Sequence, residues 1–336
     1  MTAEPLPTVD VVVSTYNEER YIDRCLDAVR SQDYPSERVR IWVVDGGSDD
    51  GTVARVHAHA EQDDRIEVIA DGRRLNLPEA LNVAIERCSG DLVAKIDAHG
   101  WPEHDYLRRS AEAFAAGGPS VACVGGRPIQ EGETTFGRAV ALARGSRVGV
   151  GASEYAGSTQ LALVDTVQCG VYRREPLLAV GSFDAEMNYG EDEEVNWRLR
   201  QAGHQIALDT RIVFHYITRP TWKAAYRQYR NYGAARVRVV QSHPSYLKPH
   251  HVAPAAALAG GAALLTLSPF SRAARRLLGA GVATYGAAVT AAALAAAGRS
   301  RWTLAPIVAY AMVALHAGYA VGMLRALPRL VRGTGD

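Results

Sequence analysis

The chain has 336 residues, with 37 Lys and Arg against 36 Asp and Glu and a formal net charge of +1. Its length suggests about two domains, and its balanced charge gives no reason to expect a nucleic acid as a partner. The first ten residues lack the basic and apolar regions of a secretory signal, so none is expected. The cysteines are far apart, which favours reduced thiols over a disulfide framework or a zinc site; they are Cys25, Cys88, Cys123 and Cys169.

Short apolar or β-branched runs alternate with helical patterns through the first hundred residues. Elements that alternate at these lengths form βαβ units, which predicts an α/β fold with a mostly parallel sheet and helices on both faces. No GxGxxG motif follows the first strand, which argues against a dinucleotide dehydrogenase. Asn17 is predicted to cap the first helix. The predicted strands are Val9–Ser14, Val39–Val44, Ile66–Ala70 and Leu92–Ile96.

A carboxylate and an imidazole follow the fourth predicted strand. Asp97 and His99 are two residues apart, so in extended backbone their side chains point the same way. Ligands of open α/β sheets bind outside the carboxyl ends of the strands, where this pair lies. The pair is therefore a candidate site for one ion or one phosphate. The alternative is that Asp97 caps a turn and His99 is an ordinary surface histidine.

The middle of the chain has weaker patterns. Val121–Arg127 is predicted to be a strand with a bend at its glycines, and Val164–Tyr172 is predicted to be another strand. Residues 145–158 are rich in glycine and small side chains. They are interpreted either as a mobile loop that closes over a bound ligand or as a plain surface connection.

Four consecutive acidic residues, Glu191 to Glu194, begin a later predicted helix. Acidic side chains at this position offset the helix dipole, which is the ordinary explanation. Four of them exceed what capping needs, and crowded carboxylates have raised pKa values, which suits a general base. Further on, His215 ends the predicted strand Arg211–His215, where a lone histidine usually has a structural role.

Residues 222–240 combine basic side chains with tyrosines and are predicted to form a helix that lies against anionic lipid headgroups. Beyond Val252, Ala, Gly and Leu dominate, and no acidic residue occurs before Asp336. This shift in composition predicts a soluble domain over residues 1–241 and a membrane region over residues 242–336.

Two segments of the membrane region, Leu277–Ala297 and Trp302–Leu324, are long enough to span a hydrocarbon core of ~30 Å. Val252–Ser268 is shorter and is interpreted as a third span, a re-entrant hairpin or an interfacial helix. A water-soluble helical domain would need more charge than these segments have. Two groups of arginines flank these segments: Arg272, Arg275 and Arg276, then Arg325, Arg329 and Arg332. Both groups are expected in the cytoplasm, which favours two spans, with the first apolar segment not crossing the membrane.

Several motifs taken together resemble the family 2 glycosyltransferases of the GT-A fold. The resemblance extends to Arg236, and the Asp-Ala-His form with the apolar C-terminal segments is most similar to the succinoglycan-type exopolysaccharide glucosyltransferases. The matching motifs are Val13–Glu18, Val44–Thr52, Asp97–His99 and Gly190–Glu194.

The resemblance implies a nucleotide-diphospho-sugar donor, most readily a UDP-sugar, and a role for each matching residue. Asp192 is implied as the catalytic base, with Glu191 beside it in the catalytic pair. Asp97, His99 and His215 are implied as ligands of a divalent cation, and Mn²⁺ is favoured over Mg²⁺ because imidazole is a poor ligand for Mg²⁺. The implied donor-binding residues are Ser14, Thr15, Tyr16, Glu18, Asp45 (facing the base), Asp97 and, for the leaving diphosphate, Arg227 and Arg230.

These expectations describe an inverting hexosyltransferase anchored in the inner (cell) membrane, with its catalytic domain in the cytoplasm. It would transfer a hexose to a lipid-linked saccharide acceptor in cell-surface or exopolysaccharide synthesis. One alternative is a polyprenyl-phosphate sugar transferase, which needs a base less and is disfavoured by the acid cluster. The other is a catalytically silent membrane scaffold with the same fold, which the joint presence of Asp45, Asp97, Asp192 and His215 disfavours.

Overall fold

The structure is a computed structural model that describes residues 5–146 and 161–332. Residues 147–158 of the loop predicted at 145–158 lie outside the described residues. The chain forms two compact units, one of Met1–Ile129 with Gly157–Tyr216 and one of Gln130–Ala156 with Ile217–Asp336. The domain boundary predicted after residue 241 stays a prediction.

The first unit contains the predicted parallel half-sheet. Its strands are β1 (Val9–Thr15), β2 (Val39–Asp45), β3 (Ile66–Ile69) and β4 (Leu92–Asp97), and they lie in the order β3-β2-β1-β4. All three pairings are parallel, and the register places Ser14 beside Asp97 and Thr15 beside Asp45. The carboxyl ends of β1, β2 and β4 are therefore aligned at one edge of the sheet.

Helices α1 (Ile22–Arg30), α2 (Thr52–Ala60), α3 (Leu77–Ile85) and α4 (Tyr106–Gly117) alternate with or follow these strands. Helix α1 has an apolar stripe at helical spacing, and its members Ile22, Cys25, Leu26 and Val29 are all buried in the sheet core. Burial of such side chains supplies most of the stabilisation of a short helix. Helix α3 begins with a capping box in which Asn76 and Glu79 bond each other's backbone N–H groups.

The predicted N-cap of α1 is wrong. Asn17 has a positive φ of 55°, and its side chain donates to Asp49 Oδ1 at 2.7 Å and accepts from Asp49 N at 2.9 Å. It therefore ties the loop after β1 to the loop after β2, and α1 begins later, at Ile22. Asparagine tolerates this left-handed conformation better than most residues.

The remaining strands make the sheet mixed. They are β5 (Gly100–Pro102), β6 (Val121–Glu131), β7 (Ala162–Val164), β8 (Val171–Arg173) and β9 (Gln205–Ile217). The pairs β4–β8, β6–β8, β7–β9 and β5–β9 are antiparallel. The predicted α/β fold is confirmed, with its parallel half extended by antiparallel strands. The helices described in this part of the chain are α5 (Thr135–Arg144), α6 (Arg174–Ala179) and α7 (Glu191–Gln201).

The single strand predicted at Val164–Tyr172 is wrong, because the structure has the separate strands β7 and β8 there. Between them, Cys169 has a φ of 47°, which an extended strand does not allow. The Cys169 carbonyl accepts a hydrogen bond from the Tyr106 hydroxyl at 2.5 Å. The turn between the two strands is thus fixed from inside the core.

The second unit contains α5 and the helices α8 (Trp222–Ser242), α9 (Pro249–Leu267), α10 (Arg272–Ala297) and α11 (Ala305–Arg332). Among residues 5–146 and 161–332, three helical stretches are long and apolar enough to cross a membrane: Pro249–Leu267, Arg272–Ala297 and Arg299–Pro328. Because α9 continues through Pro254 as one helix, the first apolar segment is not a hairpin. How many of the three cross a membrane stays a prediction.

Helices α8 and α11 contact each other backbone to backbone. A Cβ atom added at Gly322 of α11 would lie 1.9 Å from the Arg230 carbonyl oxygen, and one added at Gly233 of α8 would lie 2.0 Å from the Tyr319 carbonyl oxygen. Glycines at such contacts let two helices approach closely. The apolar stretch within Arg299–Pro328, most of which is α11, is 50% buried. The corresponding stretches of α9 and α10 are each only 11% buried. Helix α11 is therefore a packing partner of α8.

We expect Gly322→Leu to destabilise the second unit, because its side chain cannot fit against α8. Overpacking of this kind typically costs about 1–3 kcal/mol. The melting temperature of the detergent-purified protein is the measurement. The control is Gly286→Leu on α10, where an added Cβ meets no atom within 4 Å. Equal melting temperatures for the two variants would contradict the close α8–α11 contact.

Candidate active site

The turn after β2 is built by Asp45. Its Oδ2 accepts from the backbone N–H groups of Gly47 and Ser48, both at 2.9 Å, and its Oδ1 accepts from the Ser48 hydroxyl. Gly47 has a φ of 84°, which favours glycine, and Gly46 N donates to the Thr15 carbonyl at 2.8 Å. Both oxygens of Asp45 thus hold its own loop against the end of β1, a role the sequence analysis did not predict.

We expect Asp45→Ala to weaken UDP binding by about 1–3 kcal/mol, because the buried turn loses three hydrogen bonds. Ser48→Ala removes the bond from its hydroxyl to Asp45 and the bond that this hydroxyl accepts from Asn17 N at 2.8 Å. It keeps both backbone bonds to Asp45, so its loss of affinity should be smaller. Calorimetric titration with UDP checks both variants. Wild-type affinity in a folded Asp45→Ala protein would refute this role.

Tyr16 and Glu18 lie on the loop that follows β1. Tyr16 is 40% exposed, and the guanidinium of Arg74 lies 4.0 Å from its ring centroid. Arg74 also donates to the Gly47 carbonyl at 3.3 Å, so this arginine joins two loops at the edge of the site. The sequence analysis did not identify Arg74 as a site residue. The one feature that could have pointed to it is its position just before the capping box of α3.

His99 is half-buried between Glu18 and Tyr216. Its Nδ1 lies 3.2 Å from Glu18 Oε1, and its ring meets the Tyr216 ring edge-on at 4.8 Å between centroids. Burial opposes the charged form, but Tyr216, Glu18 and Asp97 together raise the pKa of His99 to about 9. The ring therefore carries a proton at neutral pH unless a cation displaces it.

A buried lysine that the sequence analysis missed lies at the centre of the site. Lys95 of β4 is 1% exposed, and its Nζ lies 2.8 Å from Glu191 Oε1 and 3.0 Å from either oxygen of Asp192. Asp97 Oδ1 is 3.4 Å away. One ammonium thus faces three carboxylates. The signal was present in the sequence, because a lysine rarely occupies a buried strand without a partner.

This excess of negative charge shapes the pKa values of the cluster. Burial, reinforced by Glu191 and Asp97 and opposed by Lys95, raises the pKa of Asp192 to about 7. Burial would also raise the pKa of Asp97, but the charges of Lys95 and His99 lower it. For Lys95 itself, burial is outweighed by the three carboxylates, which raise its pKa well above the usual range. Asp192 is the member of this cluster that titrates near neutral pH.

The four acidic residues at the start of α7 have different partners. Gly190, in a left-handed conformation with a φ of 80°, leads into the helix. Glu191 and Asp192 face Lys95, whereas Glu194 is buried and pairs with Arg198 at 2.6 Å. Compensation of the helix dipole therefore explains only part of the acidic run.

His215, the third metal ligand implied by the resemblance, has other contacts. Its Nε2 lies 2.7 Å from Glu103 Oε1, and its ring stacks on Trp101 at 5.0 Å between centroids. The next residue, Tyr216, is the one that contacts His99, and successive side chains of a strand point to opposite faces. Within residues 5–146 and 161–332, no three His, Cys, Asp or Glu side chains form a group that could hold a metal ion.

Asp97 and His99 nevertheless fit a divalent cation. Asp97 Oδ1 and His99 Nε2 are both buried, and neither has a hydrogen-bond partner among the described residues. The other oxygen of Asp97 accepts from the Cys169 thiol at 3.6 Å. One carboxylate oxygen and one imidazole nitrogen are thus available for an ion, which leaves its remaining positions for a diphosphate.

The structure brings most of the predicted site residues together. Arg227 and Arg230 lie on α8 in the second unit, where Arg227 is exposed and Arg230 is half-buried. Their assignment to the leaving diphosphate stays a prediction. Predicted residues on the aligned strand ends, or in contact with them, are Ser14, Thr15, Asp45, Asp97, His99, Glu18, Glu191 and Asp192.

Known structures share this fold. A mannosyltransferase of Pyrobaculum calidifontis, PcManGT, solved with GDP-Man and Mn²⁺, superposes with a TM-score of 0.63 at 21% identity, covering 96% of this chain and 88% of that one. Residues 1–349 of TarS from S. aureus, solved with UDP-GlcNAc, give a TM-score of 0.52 at 15% identity, covering 96% and 92%. Both likenesses concern the fold, which is of the GT-A type.

Two relatives are similar in sequence. The succinoglycan biosynthesis protein ExoA of Rhizobium meliloti is 28% identical over 234 residues, which is 69% of this chain and 70% of the relative. A dolichyl N-acetyl-α-D-glucosaminyl phosphate 3-β-D-2,3-diacetamido-2,3-dideoxy-β-D-glucuronosyltransferase of Methanococcus voltae is 28% identical over 234 residues, 68% and 72% of the two chains. Residues 10–180, just over half of the chain, match the sequence profile of glycosyl transferase family 2. The chain belongs to glycosyl transferase family 2 and is a glycosyltransferase.

Proposed function

We propose that this glycosyltransferase is membrane-anchored and inverting, and that it transfers a hexose from a UDP-sugar to a lipid-linked saccharide acceptor. The observation that carries the proposal is the half-buried Asp192, whose pKa is raised to about 7, beside Lys95 and in the same cluster as Asp97. A carboxylate poised near neutral pH suits an acceptor whose hydroxyl must lose a proton.

The reaction is a single displacement at the anomeric carbon. The acceptor hydroxyl oxygen forms the new bond to that carbon while the bond to the diphosphate oxygen breaks. Asp192 accepts the hydroxyl proton, and the nucleoside diphosphate leaves with the bonding electrons on its oxygen. Attack from the face opposite the leaving group inverts the anomeric configuration. Glu191 supplies a second negative charge that helps to keep Asp192 basic.

The donor occupies the carboxyl ends of β1, β2 and β4. Ser14, Thr15, Tyr16, Glu18 and Asp45 hold the nucleotide, and the family resemblance supports uridine as its nucleoside. Arg227 and Arg230 add positive charge for the diphosphate.

Asp97 and His99 hold the divalent cation of this donor site. Mn²⁺ is favoured over Mg²⁺ because one ligand is an imidazole, and PcManGT was solved with Mn²⁺. When bound, the cation supplies charge that stabilises the departing diphosphate. Because His99 must lose a proton to become a ligand, cation affinity should rise with pH.

The apolar helices support a membrane location and a lipid-linked acceptor. Residues 217–335 contain no Asp or Glu, so the Lys and Arg side chains of this stretch have no acidic neighbours along the chain. Their positive charge suits the anionic surface of a cytoplasmic leaflet. The proposal places residues 1–241 in the cytoplasm as the catalytic domain and residues 242–336 in the inner membrane. The two relatives are named for succinoglycan biosynthesis and for transfer to a dolichyl-linked sugar, which fits cell-surface or exopolysaccharide synthesis.

A polyprenyl-phosphate sugar transferase is the second candidate for the acceptor chemistry. Its phosphate acceptor is already ionised at neutral pH, so it would have little use for the buried base. The test is release of nucleoside diphosphate from a panel of nucleotide sugars by the purified protein in detergent. Stimulation by a lipid-diphosphate-linked saccharide supports the proposal, whereas stimulation by polyprenyl phosphate alone favours the second candidate. No release with either acceptor would leave only a scaffold role.

We expect Glu191→Gln to move the acidic limb of the pH–rate profile to lower pH. The base acts only when it is unprotonated, so the rate rises with pH through the pKa of Asp192. The negative charge of Glu191 raises that pKa, and removing the charge lowers it. The control is Glu193→Gln, which removes one charge from the same helical turn. An unmoved limb in Glu191→Gln, or an equal shift in both variants, would contradict the assignment.

A further inference from the structure

Lys95 is a cation with an unusual position, at the point where β4 faces the first turn of α7. Its ammonium donates to Glu191 at 2.8 Å and to Asp192 at 3.0 Å, and it lies 3.4 Å from Asp97. A lysine has three N–H donors, and two of them go to the carboxylates of α7, whereas the contact with Asp97 Oδ1 at 3.4 Å is electrostatic and has no hydrogen bond. The two carboxylates of α7 and the one of β4 are therefore joined through a single nitrogen.

The Asp192 carboxylate depends on this contact for its position. Among the described residues, Lys95 is the one hydrogen-bond donor to that carboxylate. Glu194, two residues later in the same turn, is instead fixed by Arg198. A side chain held by a single directed bond changes its rotamer when the donor moves, and a base misplaced by about 1 Å can cost 10²-fold in rate.

A merely structural ion pair is a weaker explanation of the same contacts. A buried salt bridge is often no more stabilising than apolar residues of the same volume, because both ions lose their water. Here the ammonium is 1% exposed and is shared by three carboxylates, which is more negative charge than one lysine neutralises. The arrangement is costly for folding, yet it fixes the geometry between β4 and α7.

We propose that Lys95 is the positioning residue of the catalytic base, which it holds at a set distance from the donor-site carboxylate Asp97. The proposal rests on the proposed function, in which Asp192 takes the acceptor proton. Lys95 itself touches neither the acceptor nor the sugar and transfers no proton. Its effect reaches the reaction through Asp192, so it should change the rate of transfer far more than the affinity for the nucleotide.

The test is a double-mutant cycle in the full-length protein. Lys95→Arg keeps the charge but presents its N–H groups in a different geometry. Single-turnover transfer at saturating UDP-sugar and the UDP dissociation constant are measured for Lys95→Arg, Asp192→Asn and the double variant. We expect Lys95→Arg to lower the rate by about 10²-fold, with UDP affinity changed by less than about threefold. In the Asp192→Asn background, the same change should have no further effect.

Lys95→Met/Glu191→Gln is a second variant, which removes one buried charge of each sign. It should show a loss of rate at least as large as that of Lys95→Arg, because the methionine offers Asp192 no hydrogen-bond donor at all. The proposal is overturned by an equal rate loss from Lys95→Arg in both backgrounds, or by wild-type rates in either variant. It is also overturned if UDP affinity and thermal stability fall in parallel with the rate, since Lys95 would then be a structural cation.

Asp192→Asn alone distinguishes this proposal from the function on which it rests. A wild-type rate in that variant would remove the base itself, and with it both the mechanism and the role of Lys95. A large loss in Asp192→Asn together with full activity in Lys95→Arg would remove only the positioning role.

Discussion

Asp192→Asn is expected to lower the rate of sugar transfer by about 10²–10⁴-fold, the usual contribution of a general base. The amide keeps the size of the carboxylate but cannot accept the acceptor proton. In the proposed function the nucleotide binds at the strand ends, away from this change, so the affinity for UDP should stay near that of wild type. Single-turnover transfer and calorimetric titration with UDP, on the same preparations, separate the two quantities.

The comparison with Asp97→Asn shows whether the effect belongs to the base. Asp97 lies at the end of β4 on the donor side, so its replacement should reduce nucleotide affinity as well as turnover. The polyprenyl-phosphate candidate expects Asp192→Asn to be mild, because its acceptor needs no deprotonation. A fully active Asp192→Asn protein would refute the assignment of the base.

Removal of divalent cations is expected to weaken UDP binding strongly, and Mn²⁺ should restore it more fully than Mg²⁺. The reason is the pair of buried atoms without hydrogen bonds, Asp97 Oδ1 and His99 Nε2, which an ion would satisfy. UDP is titrated into the protein in EDTA, then with each metal. Asp97→Asn and His99→Ala should lose the response to Mn²⁺. Equal UDP affinity in EDTA and in Mn²⁺ would contradict the metal site.

His215→Ala is the informative companion to that titration. In the structure its ring is engaged by Glu103 and Trp101, which predicts an almost unchanged response to Mn²⁺. The sequence resemblance implies His215 as a metal ligand. Loss of the Mn²⁺ response in His215→Ala would support that role and would mean that this side chain moves to the ion when the donor binds.

The parts of the fold set by short-range pattern could be predicted from the sequence. The alternation of β-branched strands with amphipathic helices identified β1 to β4, and the rule that ligands bind at strand ends located Asp45 and Asp97. The acid pair of α7 was found through its family motif. These signals need no knowledge of the distant contacts of a residue.

Features that depend on distant contacts were missed. Lys95 reads as one polar residue in an apolar strand until α7 brings Glu191 and Asp192 to it. The two strands at Val164–Tyr172 are separated by the left-handed conformation of Cys169, which the amino acids of this segment do not reveal. The packing of α11 on α8 rests on glycines that are about ninety residues apart along the chain, such as Gly233 and Gly322.

The anomeric configuration of the transferred sugar tests the central claim most directly. The purified protein is given an α-linked UDP-sugar and a lipid-linked saccharide, and the new linkage is determined by NMR. A single displacement with Asp192 as base predicts a β-linkage, formed with inversion. A product that retains the α-configuration would contradict this mechanism.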